Sequence, residues 1–343
     1  MASNERHRDI VPFAEATKVE RLGFHTYKVN LNDAFCIGAV PNGGYSASCM
    51  LAAAREHLSS RNQPDTLTAH FEYPNRTTSG PAIVAIEDVK LRSGQLSTLH
   101  LTLWQGGLLP DSPFFDPSIS RRTILACTTH TNLRTFSGIT LPTGFSVTSA
   151  AELPSPLPDF ERLKTQDADE AWEKSVPPRG SDIVQSLGNW GFYMPRYEPL
   201  VPGVLDMWIR RSSGEMITQS ALPYVVDSFP YNIYAFLLAP ELKKLLDAPQ
   251  NPQEKERKEE ANEQRASTWF PTVVKNIEVK MPLPEEGVEW LTVRVTSKQI
   301  KDGRFDLDLM VRDVDGEIIA LSHHVAMILS IERNTGKKPR SSL

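Results

Sequence analysis

The sequence predicts an α+β protein made of two related halves in one polypeptide, each an antiparallel sheet wrapped around one buried helix. Three observations carry this: a weak internal repeat, alternating apolar segments in matching places, and a long apolar helix ahead of the strands in each half. The repeat comes first, because a missed repeat misassigns a whole fold. Ile124-Leu-Ala126-Cys-Thr128-Thr-His130 lies over Ile318-Ile-Ala320-Leu-Ser322-His-His324, and both read apolar, apolar, Ala, x, hydroxyl, x, His.

Alternation supplies the strands. Leu99, Leu101 and Leu103 share one face of residues 96–104, as Phe305, Leu307, Leu309 and Val311 do in residues 305–311. Ser93-Gly94 and Asp302-Gly303 carry the hairpin-turn chemistry that separates such strands. The first half is longer between its turn glycine and its terminal histidine. The excess matches the Pro-rich residues 107–120, which read as a loop inserted between adjacent strands.

Residues 44–58 combine strong helix formers with small or apolar side chains almost all round, the mark of a buried helix. Residues 220–238 are the counterpart, kinked or shortened by Pro223 and Pro230. One apolar helix under an antiparallel sheet is an α+β layer solution. The expected boundaries are an N-terminal half over residues 1–139, a linker crossing the surface over 140–185 and a C-terminal half over 186–335. Within the last, residues 249–267 carry too much charge for burial, and residues 336–343 form a tail.

A length of 343 residues allows about two domains. With 40% apolar and 23% charged residues the chain has the makings of a globular core. A net charge of −5 argues against nucleic-acid binding, although a local basic patch could still meet a polyanionic ligand. Three cysteines without a regular framework fit a reducing compartment. Residues 1–8 are polar, and no run approaches the roughly 18 apolar residues of a membrane span. The expectation is a cytoplasmic protein. The alternative is peroxisomal, since Ser341-Ser342-Leu343 distantly resembles a peroxisomal signal with a non-basic middle residue.

The motifs add a resemblance. In the first half they are Gly38-Ala-Val-Pro41-Asn-Gly43-Gly44-Tyr45, the Ala-rich helix, Thr68-Ala-His70-Phe71-Glu-Tyr-Pro74 and Gly80. In the second they are Pro282, Gly287, Glu289-Trp290-Leu291 and Asp315-Gly316-Glu-Ile-Ile-Ala320. Together they resemble thioesterase-like proteins of the double hot-dog fold, in the pattern of fungal relatives of acyl-CoA thioesterase II. The resemblance covers residues 20–335 outside the two insertions, and its weight lies in the order of the motifs. It implies hydrolysis of an acyl thioester such as an acyl-CoA, by activated water and without covalent intermediate or cofactor. It also implies further self-association and a setting in lipid or secondary metabolism. In the family an Asp on the second-half helix, a Thr near the next strand and a Gln on the last strand hold the water. Asp227 falls at the Asp position, Thr272 lies near the Thr position, and His324 stands where Gln is expected.

Asp227 sits among Val225, Val226 and Phe229, where a carboxylate must pair or shift its pKa upward. It is either a general base or the cap of a helix segment broken before Pro230. His324 shares a strand face with Ala320 and Ser322. It either orients water, forming an acid–base dyad with Asp227 if the two meet, or is a core histidine held by a neighbouring hydroxyl. His130, its counterpart, reads as the core histidine of a half that kept no site. Gly43 and Gly44, followed by Tyr45, open the first helix; their amides could receive a thioester carbonyl oxygen, or the pair could simply make a tight turn. Ser46 is not in a nucleophile elbow. No cluster has metal spacing, and no glycine loop cradles phosphate. Arg210 and Arg211 read as the solvated face of a strand. The histidine in place of Gln keeps two other readings open: an enzyme that dehydrates, cyclises or releases a polyketide-like intermediate, and a non-catalytic acyl-binding protein.

Overall fold

Both halves repeat one order of elements. After helix α1 (Phe13–Ala16) the first runs β1 (Val19–Arg21), β2 (Thr26–Leu31), a small ladder of β3 (Cys36–Ile37) with β4 (Val40–Pro41), and helix α2 (Gly43–His57). Then follow β5 (Asp65–Glu72), β6 (Gly80–Lys90), β7 (Ser97–Gln105) and β8 (Arg121–Thr131). The second half runs α3 (Phe160–Gln166), β9 (Trp172–Lys174), β10 (Trp190–Pro195), β11 (Val204–Arg211) and α4 (Leu222–Val225). It continues with β12 (Thr268–Trp269), β13 (Thr272–Val279), β14 (Leu291–Thr296), β15 (Ile300–Lys301), β16 (Arg304–Arg312), β17 (Ile318–Met327), β18 (Leu329–Ser330) and α5 (Glu332–Thr335). The computed structural model describes residues 11–91, 95–175, 185–196, 203–229, 268–330 and 332–335. The distal part of the expected helix 220–238, the charged insertion 249–267, Ser93-Gly94 and the tail 336–343 lie outside these residues.

The main strands form one antiparallel sheet in the order β1-β2-β6-β7-β8-β5-β13-β17-β16-β14-β11-β10-β9, with β15 on β16. The halves meet at β5 and β13, where Ala69 faces Ile277 and His70 faces Asn276. Leu99, Leu101 and Leu103 are buried on the inner face, as are Phe305, Leu307, Leu309 and Val311. Against that face packs α2, buried from Gly44 to Leu51 and again at Ala53 and Ala54. Asn42 caps it: its Oδ1 accepts from the Tyr45 amide at 3.0 Å, satisfying one of the free amides of the first turn. Pro223 stands in the first turn of α4, where a missing N–H costs nothing. Asp302 and Gly303 both take positive φ (51° and 69°), the backbone that a two-residue hairpin turn requires.

Two expectations need correction. Residues 140–185 are not a bare linker. Leu163 of α3 and Trp172 of β9 join Tyr193, Trp208 and Trp290 in a second apolar cluster, and β9 extends the sheet beside β10. Arg312, buried on β16, donates to the carbonyls of Ala151 and Glu152, and Arg294 donates to those of Ser149 and Ala150. A three-residue strand and a seven-residue helix give too weak a periodicity to be read from sequence. Arg211 is also not solvated. It is buried among the rings of Trp190, Phe13, Tyr224 and Phe35, at 4.9, 5.4, 5.7 and 5.9 Å from their centroids. The last residue of an eight-residue strand has turned inward, and aromatic faces replace water around its guanidinium. Among the described residues no helix is long and apolar enough to cross a membrane.

Candidate active site

The start of α2 crosses α4 at very close range. A Cβ on Gly44 would lie 2.2 Å from the Pro223 carbonyl oxygen, 2.6 Å from Asp227 Cβ and 2.9 Å from Tyr224 Cα. A Cβ on Gly43 would lie 2.9 Å from Asp227 Oδ2. The Gly-Gly pair is therefore there for close approach, and what approaches is the loop that carries Asp227. Asn42 fastens the crossing, donating from Nδ2 to the Asp227 carbonyl at 2.9 Å.

Three groups from β13 and α2 face the Asp227 carboxylate. Thr272 Oγ1 donates to Oδ1 at 3.2 Å, Lys275 Nζ lies 3.8 Å from Oδ2, and the Gly44 amide supports the charged form. Residues three apart on a regular strand point to opposite faces, so Thr272 and Lys275 could not both face inward without help. A bulge supplies it: β13 shifts register against β17 between Thr272 and Val274. Such bulges re-aim side chains beside active sites. Burial pushes the Asp227 pKa up, and Lys275 is the largest influence pulling it back. Burial likewise pushes the Lys275 pKa down. Lys275 also donates to the Pro223 carbonyl at 3.3 Å and lies over the rings of Phe71 and Tyr73.

His324, on the neighbouring β17, is opposite Lys275. Its tautomer follows from hydrogen-bond accounting. The single Ser322 hydroxyl proton goes to the Asn276 carbonyl, so Ser322 Oγ accepts from His324 Nε2–H at 3.0 Å. Burial holds the imidazole pKa well below its usual value, so the ring is neutral near pH 7 and Nδ1 carries a lone pair. Nδ1 lies 3.6 Å from Asp227 Oδ1. That is beyond a direct hydrogen bond, and two acceptors would not make one. A direct Asp227–His324 dyad, one of the arrangements the sequence left open, is therefore not formed, and the two acceptor atoms face each other across this distance.

The first half preserves the frame of this site without its charges. Tyr45 corresponds to Tyr224: each is fully buried, and each donates at 2.7 Å to a backbone carbonyl, of Ala16 and Ser186 respectively. Tyr45 also accepts from the Asn32 amide and stacks on Phe35. Its hydroxyl is thus committed to the core, which corrects its assignment as a substrate-binding residue. The same correspondence sets Ser48 over Asp227. His130 repeats the His324 arrangement, with Nε2 2.9 Å from Thr128 Oγ1 and burial lowering its pKa to about 3. Its Nδ1 and the Ser48 hydroxyl are buried without hydrogen-bond partners among the described residues.

Asp227, Thr272, His324, Gly43 and Gly44 thus meet at one point, and Tyr45 and His130 lie apart from it. Gly43 and Gly44 open the first turn with amides that have no acceptor among the described residues, and the Gly44 amide lies near enough to Asp227 to favour its charged form. Sequence reading missed Lys275 and also Tyr73, whose hydroxyl donates to the Gly43 carbonyl at 3.1 Å. The available signal was a lysine in phase with Ile277 and Val279 on the apolar face of β13. Away from this point, His25, His57 and Asp88 converge within 4.8 Å, a grouping that no local metal spacing announced.

Comparison with known proteins agrees with this architecture. The acyl-CoA thioesterase N-terminal domain matches residues 31–122, and the acyl-CoA thioesterase C-terminal domain matches residues 160–328. The thioesterase-like protein TwmA of Talaromyces wortmannii is 65% identical over 346 residues, covering 100% of this chain and 99% of that protein. Among solved structures, a putative thioesterase II from Thermobifida fusca superposes with a TM-score of 0.63 at 18% identity, covering 94% of this chain and 98% of that one. A hot-dog protein of unknown function from Alicyclobacillus acidocaldarius gives 0.64 at 15% identity, covering 93% and 99%. The fold is the double hot-dog, and the chain belongs to the acyl-CoA thioesterase family.

Proposed function

We propose that this protein hydrolyses an acyl thioester of the acyl-CoA type, using a water molecule held between Asp227 and His324. The observation that carries the reading is the pair of acceptors, Asp227 Oδ1 and His324 Nδ1, both on buried residues and 3.6 Å apart. One water can donate a proton to each and keep a lone pair for the thioester carbon. Thr272, Lys275 and the Gly44 amide favour the charged form of Asp227 against the pull of burial. Asp227 takes the proton as the water oxygen attacks, the Gly43 amide receives the developing oxyanion, and the carbon–sulfur bond breaks. Asp227 then returns the proton to the departing thiolate, leaving a carboxylic acid and a free thiol.

A thiol-release assay over short, medium and long acyl-CoAs tests this. Asp227→Asn is expected to lose about 100- to 10,000-fold in kcat. No turnover on any of them, or full activity in the variant, sinks the reading. The Nδ1 lone pair of His324 favours a second reading, proton abstraction from a polyketide-like intermediate during dehydration or cyclisation. Turnover without thiol release, abolished in His324→Ala, would favour it. We place the enzyme in the cytoplasm, in lipid or secondary metabolism and in a self-associating form, with a peroxisomal address as the alternative. Free thiols at Cys36, Cys49 and Cys127 suit a reducing compartment.

A further inference from the structure

We propose that His25, His57 and Asp88 form a binding site for a divalent cation of the zinc type, which fastens the C-terminal end of α2 to the sheet. His25 precedes β2, His57 ends α2, and Asp88 lies near the end of β6. The Asp88 carboxylate spans the two imidazoles: Oδ1 lies 2.7 Å from His57 Nε2 and Oδ2 lies 3.0 Å from His25 Nε2. All three ligand atoms fall within 4.8 Å of one another. A tetrahedral ion with bonds of roughly 2.0–2.2 Å holds its ligands about 3.3–3.6 Å apart, so rotamer-scale adjustment completes the set.

The far side of His57 is a second, independent observation. Its Nδ1 lies 3.2 Å from the Phe24 carbonyl oxygen and 3.2 Å from the Tyr27 hydroxyl. In the tautomer whose Nδ1–H meets the Phe24 carbonyl, Nε2 presents its lone pair on the side of Asp88, the form in which a histidine ligates a metal. A backbone carbonyl on the other ring nitrogen is also how metal-bound histidines are oriented. The negative end of the α2 dipole adds attraction for a cation.

Access is open, since His25 and Asp88 retain 44% and 21% of their side-chain exposure, while His57 keeps 4%. Two imidazoles and one carboxylate suit a borderline ion and leave a position for solvent. The 15-residue α2 separates this cluster from Gly43 by roughly 21 Å of helix. The ion is therefore a fastening and takes no part in catalysis.

Tag-free, chelator-stripped protein is titrated with Co²⁺ as a spectroscopic probe, then with Zn²⁺ against a chromophoric chelator. One ion per chain and a raised melting temperature are expected, with binding weakened at least about 100-fold in His25→Gln and in Asp88→Asn. His25→Gln alters a partly exposed side chain and so guards against misfolding. No stoichiometric uptake by folded wild-type protein, or uptake unchanged in both variants, overturns the site; the histidines then share only a proton with Asp88. Acyl-CoA turnover well below the melting temperature should change less than about twofold on stripping, and turnover that requires the ion would overturn its assignment as a fastening.

Discussion

Replacing Gly44 by alanine should force α2 and α4 apart and displace the proposed catalytic groups with them. The added methyl would sit 2.2 Å from the Pro223 carbonyl oxygen, so about 1.2 Å of separation is needed to reach the 3.4 Å of ordinary contact. Two of its three neighbours are backbone atoms of α4 and cannot rotate away. Overpacking of this kind costs about 1–3 kcal/mol, offset by the 0.5–1 kcal/mol that alanine gains over glycine in a helix. A net loss of about 1–2 kcal/mol is expected, read as a lower midpoint in urea at unchanged slope. The same displacement exceeds the tolerance of the site: a misplacement of about 1 Å can cost on the order of 100-fold in rate. Thiol release should fall by that factor in protein shown to be folded. Gly43→Ala is the companion measurement. Its methyl would meet the side chains of Asp227 and Tyr73, at 2.9 and 3.2 Å, so turnover should fall with little loss of stability. Wild-type midpoint and turnover in Gly44→Ala would refute the close crossing and the account built on it.

Lys275→Met removes the strongest influence lowering the Asp227 pKa, so that pKa rises further. The acid limb of the kcat/KM profile should then move to higher pH, and an unmoved limb would separate Lys275 from the chemistry. His324→Gln keeps a neutral hydrogen-bonding group at a position already neutral near pH 7. Turnover should stay within about tenfold of wild type with the same profile, whereas His324→Ala should lose roughly 100-fold. Arg211→Met strips a buried guanidinium from four rings and from Glu215, 3.5 Å away. Chemical denaturation should report about 2–4 kcal/mol of lost stability.

Much of the fold was legible because it follows from periodicity. A two-residue alternation survives in β7 and β16, and an all-round apolar helix survives in α2. The matching ends of β8 and β17 then tied the halves together, and His130 and His324 do occupy equivalent places. The site was only partly legible. Asp227 stood out as a carboxylate in an apolar run, but Thr272 and Lys275 share a target only because of a bulge, which leaves no mark on the periodicity. The role of Gly44 depends on the path of another helix more than 170 residues away, and the burial of Arg211 depends on rings from four separate segments. Contacts of this kind are properties of the packed chain, so no window of sequence contains them.

The site draws its groups from both halves of the chain. Gly43, Gly44 and Tyr73 come from one half, and Asp227, Thr272, Lys275 and His324 from the other. Separate expression of residues 1–139 and 140–343 would give two fragments that each hold part of a toolkit. Neither could act alone, and any activity on mixing them would count reassembled molecules. The enzyme is in this sense its own heterodimer: one chain holds the two contributions at equal number, while Ser48 and His130 stand in the first half where Asp227 and His324 stand in the second.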